Sequence, residues 1–145
     1  MSALKKIIAG FGGAIALNIL HESLKKTSNN MPRIDLLGEQ ALQEGLQYLG
    51  TEIKDEDNLY GATLGADLIS NGLYYSMIGG GTKKEVWSKA ITLGLLGGIG
   101  AVVLPKPMGL DDQPVAKNSQ VKMLTVAYYL TGALVSAAIF NALKK

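Results

Sequence analysis

Four apolar stretches, separated by charged or turn-forming segments, set the pattern of this chain. Met123 to Leu143, "MLTVAYYLTGALVSAAIFNAL", runs for 21 residues without a charge and is closed by Lys144 and Lys145, the length a helix needs to cross a hydrocarbon core of about 30 Å. Asn58 to Thr82 is as long and holds one charge, Asp67, before a glycine triplet ends it. Ala90 to Pro105 is charge-free for 16 residues and reaches spanning length if Val86 and Trp87 sit at the interface. Ile7 to Leu20 is shorter, and spans if Leu4 and the turn from His21 to Leu24 are included. The pattern predicts spans over approximately 4–24, 58–80, 86–105 and 123–143. The expected fold is all-α: a single membrane domain forming a four-helix transmembrane bundle.

Between the first two spans, Leu42, Leu46, Leu49 and Ile53 recur at helical spacing among Glu39, Gln43, Gln47 and Glu52, which predicts a short amphipathic helix in the first extramembrane loop. Gly38, Gly45 and Gly50 weaken it. The connection before the last span, "PKPMGLDDQPVAKNSQVK", holds three of the four prolines and reads as a turn-rich loop. Small residues stand four apart in every span: Gly10 with Ala14, Gly61 with Gly65, Gly94 with Gly98, and Gly132 with Ser136. Such pairs let helices approach closely in lipid, where no hydrophobic effect draws them together.

Composition narrows the class further. With 48% hydrophobic residues in 145, the chain is more apolar than a soluble domain of this size requires, and its segments lack the continuous polar face of a surface helix. Cysteine is absent and there is one histidine, so no thiolate chemistry is available and no metal site or cofactor is expected. A net charge of +2 with scattered lysine pairs gives no nucleic-acid surface. The expected partners are the lipid bilayer and either a second copy of the chain or another membrane protein. Seven basic residues fall on each side of a four-span arrangement, but those beside the termini, Lys5, Lys6, Lys83, Lys84, Lys89, Lys144 and Lys145, hug span ends in short segments. Basic residues so placed favour the cytoplasmic side, so both termini are expected there.

The polar residues within the spans are the candidates for chemistry. Thr63, Asp67, then Ser70 or Asn71, and Tyr74 follow one another at steps of three or four along the second span. Asn18, His21 and Glu22 close the first, Lys106 follows the third, and Tyr128 lies in the outer half of the fourth. An ionisable side chain within a span faces the bundle interior and requires a partner or water. Asn18, His21, Glu22, Asp67, Asn71, Tyr74, Lys106 and Tyr128 are therefore the candidates for binding a proton, a cation or a small polar ligand. The alternative is that they fasten the helices to one another by hydrogen bonds. No catalytic constellation is present: His21-Glu22 is not followed by a second histidine, and neither a G-x-S-x-G elbow nor a phosphate loop occurs. The reading leans away from an enzyme.

Taken together, "HESLKK", "MPRIDLLGEQAL", "ADLISNGLYYS", "LPKPMGLDD" and "LTVAYYLTGALV" resemble a group of small bacterial polytopic membrane proteins with four spans and no assigned activity. The resemblance implies a bacterial inner-membrane location and carries over no functional residue. Two functions follow as expectations: a membrane protein with an intramembrane polar binding cluster, or a structural or accessory subunit that packs with itself or with other spans.

Overall fold

The computed structural model describes residues 2–144, in which all regular structure is helical. Lys145, one of the basic residues counted beside the termini, lies outside the described residues. The helices are α1 (Ser2–Leu24), α2 (Ile34–Tyr48), α3 (Glu56–Ser76), α4 (Lys83–Val103), the single turn α5 (Gln113–Ala116) and α6 (Ser119–Leu143). Three of them, α1, α4 and α6, are long and apolar enough to cross a membrane. Helix α3 matches α4 in length at 21 residues but is not among the three, because past its acidic first turn Asp67, Asn71 and its serines, tyrosines and glycines leave it less apolar than the others.

Polar turn residues fix where the later helices begin. The Asp55 side chain accepts from the Asp57 amide at 3.0 Å, Thr82 from Glu85 at 3.1 Å and Asn118 from Val121 at 2.9 Å, each satisfying an amide that the first turn leaves open. Helix α1 packs against α3 on one side and α6 on the other, and α4 packs against α6. Small residues make this approach possible. A Cβ on Gly10 would run into the α3 backbone between Gly72 and Ser76, and one on Gly13 into Gly132 and Ser136 of α6. A Cβ on Gly94 would lie 2.9 Å from that of Ala133. Gly61 and Gly65 on α3 differ: nothing lies within 4 Å of where their side chains would begin.

At one end, Lys89 donates to the carbonyls of Gly79 and Gly80 at 2.9 and 2.8 Å, and Lys144 donates to Gly81 at 2.5 Å. The start of α4 and the end of α6 thereby close over the turn that follows α3. At the other end the two long connections form a single cap. Arg33 donates its amide to Pro114 at 2.8 Å, Gln40 pairs with the backbone of Asp111, and Asn118 and Gln120 reach Asn30.

The amphipathic helix exists, but its register differs from the expected one. Helix α2 begins at Ile34 and ends at Tyr48, so Leu49 is only its cap and Ile53 lies beyond it. Leu49 is 78% exposed. The reason is local: Gly50 takes a left-handed conformation with φ of +88°, and the amides of Gly50 and Thr51 turn back to Gln47 and Leu46 at 3.0 and 2.9 Å, a terminating motif that glycine favours. The inward face is carried by Ile34 and Leu37, which pack against the core, and by Gly38. A Cβ on Gly38 would come within 2.8 Å of Thr63 and 3.2 Å of the Asp67 carboxylate. Helix α2 therefore passes directly over α3 at Asp67.

Candidate functional site

The last turns of α1, the first turn of α2 and the inward face of α3 meet beneath this cap. Asn18, His21, Glu22 and Lys25 fall on one face of α1 by their three- and four-residue steps, and Tyr60, Thr63, Asp67 and Asn71 do the same on α3. His21 is 4% exposed. Its Nε2 accepts from the backbone amide of Ile34 at 3.0 Å, so the proton of the neutral ring belongs on Nδ1, which donates to Glu22 at 3.0 Å. Ile34 opens α2, and its amide is one that no residue of α2 can satisfy. The imidazole of α1 thus caps another helix.

A charged clasp surrounds this contact. Arg33 grips Asp35 with two hydrogen bonds, Nε to Oδ1 at 3.0 Å and Nη2 to Oδ2 at 2.9 Å. Lys25 bridges Glu22 at 2.9 Å and Asp35 at 3.4 Å, donates to the Tyr60 hydroxyl at 3.2 Å, and lies 4.6 Å from the centre of the Tyr60 ring. The Tyr60 hydroxyl in turn donates to Glu22. Burial of Asp35 opposes its charged form, but the two charge-assisted hydrogen bonds of the Arg33 fork outweigh burial and hold the carboxyl well below the usual carboxylate range. With Nε2 of His21, 3.4 Å away, already engaged by Ile34, the Arg33 fork does most of this. Two anions and two cations therefore neutralise one another and tie α1, α2 and α3 together.

Asp67 stands apart from the clasp. It has no hydrogen-bond or ion-pair partner among the described residues, and it borders two spaces. Inward lies a narrow pocket shared with Asn18, His21, Thr63 and Asn71, with room for about one water molecule. Outward lies a crevice of about 430 Å³ between α3 and α4, roofed by α2 and lined almost wholly by apolar atoms. Tyr74 stands in this crevice with its hydroxyl committed to the Leu93 carbonyl of α4 at 2.5 Å.

The predicted residues thus divide. Asn18, His21, Asp67 and Asn71 share the inner pocket, with Glu22 at its rim. Tyr128 is buried and meets His21 edge-on, ring centres 6.3 Å apart, but lines neither space beside Asp67; its hydroxyl has no partner among the described residues. Lys106 must be corrected as a candidate: flanked by Pro105 and Pro107, it is exposed in the turn after α4. Ser70 likewise faces outward. Lys25, Arg33, Asp35 and Tyr60 were not foreseen as part of the cluster. Among the described residues, no group of three His, Cys, Asp or Glu side chains is placed to hold a metal ion.

Comparison with known proteins adds no relative: no family model, no curated protein and no solved structure matches the chain.

Proposed function

We propose that the chain is a four-span membrane protein in which α3 crosses the bilayer beside α1, α4 and α6, and in which Asp67 binds a proton, a cation or a small polar ligand. One observation carries this reading: His21, Glu22, Lys25, Arg33 and Asp35 are all paired, whereas Asp67 faces two spaces without a partner among the described residues. An isolated carboxylate in a span is expensive, so its presence there points to a function. The His21 clasp is the fastener, holding α2 as a cover over the site. A bacterial inner membrane with both termini cytoplasmic is the setting we assign, on the basic residues at the span ends and the resemblance noted above.

The test is Asp67→Asn, which keeps size and most hydrogen bonding but removes the charge. Neutral polar contacts between membrane helices are worth roughly 0.6 kcal/mol, so the variant should melt within about 1 kcal/mol of the parent in detergent. A cation bound at tenfold excess over its Kd stabilises the folded form by about 1.4 kcal/mol, and the parent should show this response to cations, or a component of its pH dependence, that the variant lacks. Indistinguishable titrations of parent and variant would remove Asp67 from the function.

A second reading, an accessory or self-associating subunit, is favoured by Gly61 and Gly65, the one small-residue pair on which nothing packs.

The four-span topology has its own check. Reporters fused after Lys145 and inserted between Asp111 and Lys117 should signal opposite sides of the membrane. The same signal from both would mean that α6 does not cross, and would overturn the four-span arrangement.

A further inference from the structure

We infer that the crevice between α3 and α4 binds a hydrophobic organic cation, entering sideways from the bilayer, with its charge against Asp67 and its body among the apolar walls. The inference rests on the reading of Asp67 given above and names the ligand class that this residue would serve. At about 430 Å³ the crevice falls within the range of small-molecule sites. Its walls include Leu37, Leu96 and Met108, with the rings of Tyr74 and Tyr129 beside Asp67. Leu96 is 58% exposed and Leu104, at the mouth, 55%, so the opening lies on the face that four spans would turn toward lipid.

The lining selects among occupants. A sodium, magnesium or calcium ion needs about six oxygen ligands, and Asp67 supplies two. A primary ammonium brings three donors, for which the crevice offers only the Asp67 carboxylate and the Tyr74 and Tyr129 oxygens among otherwise apolar walls. A cation whose charge is shielded by carbon has no donor to satisfy. Its surface matches the walls, and aromatic faces attract it. A hydrocarbon chain alone would fit the walls but leave the carboxylate against hydrocarbon, and an anion would be repelled. The nearby charges do not compensate Asp67, because Glu22, Lys25, Arg33 and Asp35 are paired with one another and His21 is engaged by Ile34 and Glu22.

The experiment is equilibrium dialysis of the full chain in phosphatidylcholine nanodiscs against tetraphenylphosphonium and tetraphenylborate, ions of similar size and shape but opposite charge. Saturable binding of the phosphonium alone is expected, weakened at least about tenfold by Asp67→Asn, which removes one member of a desolvated charge pair. Gly100→Leu fills the crevice without touching Asp67, since a Cβ there meets only Leu104 at an ordinary 3.5 Å. It should weaken binding comparably, with Ala101→Leu as a second block if the first variant does not fold. Phosphonium uptake no greater than that of empty nanodiscs, or uptake unchanged in Asp67→Asn, would mean simple apolar partition and overturn the inference. Binding that needs Asp67 but survives both crevice variants would overturn the route and the site. If the phosphonium does not bind while the parent alone still responds to protons or inorganic cations, the ligand class is wrong and the role of Asp67 stands. If neither response is seen, both fall.

Discussion

Gly10→Leu should destroy the packed form, lowering stability in detergent by more than about 3 kcal/mol and broadening the size-exclusion peak. The obstruction is backbone against side chain: a Cβ on Gly10 would stand 2.6 Å from the Ser76 amide nitrogen and 2.9 Å from its Cα, and no rotamer change on α3 can move those atoms. Helices α1 and α3 would have to separate along the contact that also carries the His21 clasp. Gly65→Leu is the matched control. It replaces glycine on the neighbouring helix where nothing lies within 4 Å, and it should gain roughly 0.8 kcal/mol of helix propensity. The control also bears on self-association. If α3 uses its open glycine face against a second copy, Gly65→Leu should leave the melting of the monomer intact and shift the oligomer toward it. Equal melting of Gly10→Leu and parent would refute the close α1–α3 contact.

The apolar runs announced α1, α4 and α6 because a spanning helix is recognised by length and lack of charge, which need no knowledge of its neighbours. Helix α3 was equally visible as a polar stripe, and Thr63, Asp67 and Asn71 do line the inner pocket. The register of α2 was misread because its apolar anchors, Ile34 and Leu37, precede the leucines that show the periodicity, and because Gly50 ends the helix short of Ile53. The clasp was hidden for a different reason. His21 reaches Ile34 across 13 residues and Lys25 reaches Tyr60 across 35, separations at which helical spacing carries no information. The available signal was "PRID", a proline, an arginine and an aspartate at a helix start beneath a histidine and a glutamate at another helix end, and it becomes legible only once the two ends are known to meet. Lys106 does not join the cluster because it is exposed in the turn after α4, from which Pro105, Met108 and Leu110 line the crevice beside Asp67.

Asp35→Ala should lower stability by about 2–3 kcal/mol at neutral pH, because it leaves Arg33 and the largely buried Lys25 without their shared acceptor. The pH dependence isolates the same residue. Its carboxyl is held below the ordinary value of 3.8 in the folded protein, so the folded state binds fewer protons than the unfolded chain and stability rises with pH across that range. The contribution is complete above about pH 5 and is lost progressively as the pH falls through the ordinary value toward the folded one. Thermal melting of parent and Asp35→Ala, measured from pH 7 down to pH 3, should therefore give two curves that stay a constant distance apart near neutrality and converge on the acid side. Subtracting the curves removes the common contributions of Glu22 and the other carboxylates. The substitution also separates the two roles proposed for the cluster. If the clasp only holds α2 in place, Asp35→Ala should loosen the cover over α3, read as faster amide exchange from Ile34 to Tyr48, while Asp67 keeps its response to cations. Curves that remain parallel down to pH 3 would show that the Asp35 carboxylate does not carry the clasp, and the ordering of α2 would then have to come from its apolar face alone.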